Sequence, residues 1–136
     1  MTTSSRLVLA VVPDLFFATR IAATAKAAGV ALELVPPARA EARLAEGGAS
    51  LVILDLHAPQ APALVAACKR AAPATPLVGF FSHVETRLRD QALEAGADAV
   101  VPRSGFVAKL AALLTDGLAG LARSGAGGGP SPGARA

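Results

Sequence analysis

The chain has no tryptophan and no tyrosine, and five phenylalanines hold its aromatic share to 4%. A core with so few rings must be built from Ala, Val and Leu, and hydrophobic residues do make up 53% of the 136. One cysteine, Cys68, excludes an internal disulfide framework and fits a reducing cytoplasm. No apolar stretch approaches the roughly 20 residues that span a bilayer, although mean hydropathy is +0.51. The opening M-T-T-S-S-R, followed by L-V-L-A-V-V, is a poor secretory signal. Its apolar run is short, and Pro13-Asp14 interrupt it where a cleavage site needs small residues. The expectation is a cytoplasmic protein.

Charge of one sign is also scarce. Thirteen basic and ten acidic residues leave +3, with no Lys/Arg cluster interleaved with aromatics, so direct nucleic-acid binding finds no support. No G-x-G-x-x-G or Walker pattern precedes a helix, so neither does nucleotide binding. His57 and His83 stand singly, without the Cys or acid neighbours that a metal site needs. His83 has no nucleophile partner to serve as a general base. No catalytic constellation is visible, and the reading is not an enzyme.

What is present is an alternation. The stretch A-S-L-V-I-L-D-L-H-A-P, from Ala49 to Pro59, centres on four uninterrupted apolar residues ending at Asp55. Such a run suits a parallel strand buried on both faces, with Asp55 delivered to the carboxyl edge of the sheet. Residues 6–12 form a second run of this kind. Asp14 then N-caps a helix over 15–28, closed by Gly29. A strand over 30–35, a helix over 38–46, a helix over 62–71 and a strand over 77–81 follow. Ser82-His83-Val84-Glu85 matches the S-x-x-E capping box of a helix running to Ala95. A strand over 99–101 ends at Pro102, and a last helix begins after Ser104, with Phe106, Leu110, Leu113 and Leu114 at helical spacing. Cys68 lies in a helical pattern with Leu64 and Val65, as a small buried apolar residue. The spacing predicts an α/β domain over 1–121 and a disordered Gly/Pro-rich tail over 122–136. Five strands and five helices in this order call for a three-layer flavodoxin-like sandwich with a parallel sheet in the order 2-1-3-4-5. Asp14 and Asp55 then meet at the crevice between the first and third strands.

On these motifs the chain resembles a response-regulator receiver (CheY-like) domain. L-V-I-L-D-L-H-A-P is similar to the family's phosphoacceptor strand, T-P-L-V-G-F-F-S to its fourth strand, and A-L-E-A-G-A-D-A-V-V-P-R-S to its helix-four to strand-five segment. The resemblance implies that Asp55 stands at the phosphoacceptor position. The Mg²⁺-binding acidic pair falls at Val12-Pro13, or at Pro13-Asp14 with a slip of one, so at most one acid survives. The Ser/Thr that contacts the phosphoryl group falls on Phe81, with Ser82 one residue late. The Lys position carries Arg103, followed by Ser104 where the family has Pro, and the switch aromatic is replaced by Val100. Phosphoryl transfer depends on positioning and charge neutralisation, so this set is degraded. Arg103 in turn is expected to pair with Asp55, mimicking a neutralised site.

The resemblance thus implies an atypical single-domain receiver, a pseudo-receiver that signals by protein contact and requires no cofactor. Its partners would be a histidine kinase, an output protein or a second copy, with no membrane or nucleic acid involved. The expected interaction face is helix four, strand five and helix five, with Arg87, Val100, Arg103, Phe106 and Lys109. The alternative implied is a phosphoacceptor in a phosphorelay, with Asp55 phosphorylated and Asp14 and Asp55 forming a weak Mg²⁺ site.

Overall fold

The structure, a computed structural model, describes residues 7–82 and 86–121. His83, most of the proposed capping box and the 122–136 tail lie outside the described residues.

The third strand sets the architecture. All five residues of β3 (Leu51–Asp55) are buried, and successive side chains face opposite sides of the sheet. Leu51 and Ile53 enter one core, while Val52 and Leu54 enter the other. Each apolar side chain so buried contributes roughly 1.5–3 kcal/mol relative to leaving it exposed. Around β3 lie β1 (Leu7–Val11) and β4 (Leu77–Phe81), with β2 (Ala31–Leu34) and β5 (Ala99–Pro102) outermost, in the order β2-β1-β3-β4-β5 and all parallel.

Helices α1 (Leu15–Ala28) and α5 (Arg103–Asp116) cover one face. Helices α2 (Pro37–Ala45), α3 (Ala61–Ala71) and α4 (Thr86–Ala95) cover the other. Helix α1 starts and stops where its sequence says. Asp14 caps it, Phe17, Ile21 and Ala25 form its buried stripe at four-residue spacing, and Gly29 ends it at φ 74°. The expected bounds shift slightly elsewhere: β2 is shorter by one residue at each end, α2 and α3 each begin one residue earlier, and α2 ends one residue earlier.

Helix α5 needs a larger correction. It begins at Arg103 and not beyond Ser104, because Pro102 takes the extended N-cap position (φ −66°, ψ 151°) after closing β5. Arg103 is therefore the first helical residue, held at the sheet edge. At the far end Gly117 adopts φ 67° and ψ −146°, a conformation open in practice only to glycine. Residues 118–121 then form one more helical turn, with Leu118 and Leu121 packed on the α1/α5 core. Among the described residues, no helix is long and apolar enough to cross a membrane.

Candidate functional site

The carboxyl edge of the sheet gathers Asp14, Asp55, His57, Ser82 and Arg103. Asp14 follows β1 and spends both carboxylate oxygens. Oδ1 accepts the Phe16 and Phe17 backbone N–H groups at 3.0 and 3.3 Å, and Oδ2 meets the Arg103 guanidinium at 3.3 Å. The Phe17 N–H foremost, and then Arg103, hold the Asp14 carboxyl below its ordinary value. The Arg103 guanidinium also lies 4.0 Å from the centroid of the Phe17 ring. Below it Phe17 contacts Phe80 at 5.0 Å and Phe106 at 5.8 Å, and the Phe80 and Phe106 rings stack at 4.7 Å. The cation thus sits on an aromatic floor, clamped to the acid that caps α1.

Asp55 lies apart from this pair. It is the one buried polar residue among those described, at 8% exposure. Its Oδ1 accepts the His57 backbone N–H at 2.9 Å, and among the described residues it pairs with no cation. The His57 side chain bridges onward, its Nε2 accepting the Ser82 N–H at 3.0 Å. That nitrogen must carry a lone pair, which places the ring proton on Nδ1. Leu56 fills the space over Gly79, where an added Cβ would approach the Leu56 Cδ2 to 2.9 Å. The two residues after Asp55, Leu56 and His57, thereby fasten the loop to β4.

Several expected placements change. Arg103 pairs with Asp14 and not with Asp55, because starting α5 at Arg103 brings its side chain over α1. Phe81 is not at the crevice: it packs into the α2–α4 core, since strand side chains alternate. Ser82, one residue on, lines the crevice with Asp14 and Arg103. Phe106 is fully buried beneath Arg103 and belongs to no surface. Val100 is partly buried against the α2–α4 core, Lys109 is half-exposed, and Arg87 and Pro13 are exposed.

These residues are a poor fit for Mg²⁺. Both Asp14 oxygens are engaged, Pro13 offers no side-chain ligand, and Asp55 brings a single oxygen without a hydrogen-bonded partner among the described residues. Among the described residues no three His, Cys, Asp or Glu side chains stand close enough to share an ion.

Compared with known proteins, the chain matches no family model and no curated protein sequence. Solved structures do match. A CheY-like response regulator receiver domain protein from Methanospirillum hungatei JF-1 superposes with a TM-score of 0.71 at 16% identity, over 90% of this chain and all of that one. A response regulator from Hahella chejuensis gives 0.73 at 25% identity, over 84% of this chain and 96% of its own. The fold is that of a CheY-like receiver domain. HP1043, an orphan response regulator of H. pylori, matches at 0.71 and 16% identity over 88% of this chain and 99% of that one. The receiver fold is thus matched over 84–90% of this chain.

Two features of this receiver fold were missed in the sequence. Leu15 and Phe16 are 76% and 90% exposed, lying off the buried stripe of α1. The spacing of Phe17, Ile21 and Ala25 held that signal. At the opposite edge Lys69 donates to Asp98 at 2.8 Å and to the Thr75 carbonyl at 2.8 Å, while Asp98 also accepts the Leu77 N–H at 2.8 Å. That network fixes the start of β4 and has no part in the crevice.

Proposed function

We propose that this chain is a pseudo-receiver, a signalling module that works through protein contact without a Mg²⁺-dependent phosphorylation cycle. The observation that carries this reading is the Asp14–Arg103 pair. A guanidinium that belongs to the chain occupies the acid a metal would need, and Phe17 holds it in place. Metal binding at this crevice would have to displace it. The test is an amide NMR titration with Mg²⁺, then with beryllofluoride added. The expected result is no change at millimolar metal. Shifts centred on Asp14, Asp55 and Arg103 that spread along α5 would overturn the reading.

One observation favours phosphoacceptance as a second reading. Ser82 stands at the end of β4 beside the crevice, and one Asp55 oxygen has no partner among the described residues. In that case a phosphoryl group passes from a phosphohistidine to the Asp55 carboxylate, leaving neutral imidazole on the donor. Asp55→Asn then abolishes labelling by a phosphodonor in Mg²⁺, whereas under the first reading neither protein labels.

A further inference from the structure

Helix α2 carries two stripes. Ala40 and Leu44 face the second core. Ala38, Glu41, Ala42 and Ala45, at i, i+3, i+4 and i+7, form another stripe, and all four are exposed. That is the spacing by which a helix lies along a packing partner. Beside the stripe, Arg70 and Ala71 of α3 complete an open groove of about 450 Å³. The three alanines end at Cβ, so a helix laid here reaches the close end of the roughly 8–10 Å spacing of packed helices.

Small side chains admit many helices, and the charge selects one. Glu41 and Arg70 face the same groove with opposite charge, and neither makes an ion pair among the described residues. The neighbouring ionic groups are already engaged, Arg43 with Glu33 and Glu46, and Lys69 with Asp98. Glu41 stands near enough to α3 to add to the upward push on the Cys68 thiol. An acidic partner would satisfy Arg70 and repel Glu41, and a basic partner would do the reverse. A copy related by a twofold axis through the groove sets Glu41 on Arg70 twice over, because an isologous interface repeats each contact in exchange.

We infer that the α2/α3 groove seats a second copy of this chain, alanine stripe against alanine stripe, with Glu41 of each protomer on Arg70 of the other. It deepens the contact reading above by naming a partner. The face it uses is neither the crevice nor helix four, strand five and helix five.

The test is sedimentation equilibrium on the full chain over roughly 10 μM to 1 mM protein. The expected result is a reversible monomer–dimer equilibrium. Glu41→Arg and Arg70→Glu each weaken it by about tenfold or more, because each sets like charges together across the axis. Ala42→Arg fills the groove with a good helix former and weakens it as much. Arg87→Glu and Lys109→Glu, on the other face, leave it unchanged. Mixing the Glu41→Arg and Arg70→Glu proteins restores association as a heterodimer, since every cation then meets an acid. Misfolding cannot imitate that rescue. A monomer throughout this range, a dimer indifferent to Glu41→Arg and Ala42→Arg, a dimer broken by Lys109→Glu, or a mixture that stays monomeric would each overturn the inference. The Mg²⁺ titration reads the crevice separately. A chain that answers Mg²⁺ and dimerises here loses the pseudo-receiver reading and keeps the groove; a monomer that ignores Mg²⁺ does the opposite.

Discussion

At the scale of single residues, Asp14 joins three tasks in one carboxylate. It caps α1, fixes Arg103 and borders the crevice. Its folded-state carboxyl is held low, so the stabilisation it provides is complete above the ordinary carboxylate range. That stabilisation is lost as the pH falls through the lowered folded value. Arg103→Gln removes one of the two main causes. Its expected effect is an upward move of the Asp14 midpoint, read by carboxyl NMR titration, with the Phe17 N–H still holding part of the depression. A midpoint that does not move would mean that Arg103 leaves Asp14 in solution. The sequence located both residues but mismatched them. Which acid an arginine reaches depends on where its helix begins, and Pro102 looked like the end of a strand while serving equally as a cap. The resemblance put Phe81 at the phosphoryl-contacting position and Ser82 one residue late, whereas the alternation along β4 turns Phe81 into the α2–α4 core and leaves Ser82 at the crevice.

At the scale of elements, the boundaries that were legible were those written in local chemistry. An Asp before an apolar stripe and a Gly after it fixed α1 at both ends. The unbroken apolar runs of β3 and β4 fixed those strands. The end of α5 is less plain in the sequence, where Gly117 and Gly120 are simply poor helix formers. Here they make a turn. Gly117 reverses the chain, and Gly120 then lies so close to the Ala112 backbone that a Cβ has no room. Gly117→Ala is expected to cost roughly 1–3 kcal/mol, the range for a non-glycine residue forced into this conformation, measured by chemical denaturation. Substitution without loss would show that residues 118–121 do not depend on that turn for their seat on the core.

At the scale of the whole molecule, the sheet separates two apolar cores, and both must form for β3 to be covered. Cys68 reports on the second core. It is 1% exposed, and burial foremost, with Glu41 adding to it, pushes its thiol up to about 11. At pH 8 only roughly one thiol in a thousand is then ionised in the folded state. A disulfide reagent should therefore find no reactive thiol in the native protein and one after denaturation. As the pH rises past the ordinary thiol value of 9.0, the unfolded chain ionises first and stability falls until the folded value is passed. Rapid native labelling would mean that the α2–α4 layer opens on its own.

The cluster of Phe17, Phe80 and Phe106 beneath Arg103 has an optical consequence. With no tryptophan or tyrosine in the chain, the near-ultraviolet circular dichroism belongs to five phenylalanines, three of which pack together under one guanidinium. Their sharp vibronic bands form an unlabelled gauge of the crevice, unobscured by stronger chromophores. Lifting Arg103 from its ring, by acid, by substitution or by a partner, changes the asymmetry around that cluster, and the spectrum registers it directly.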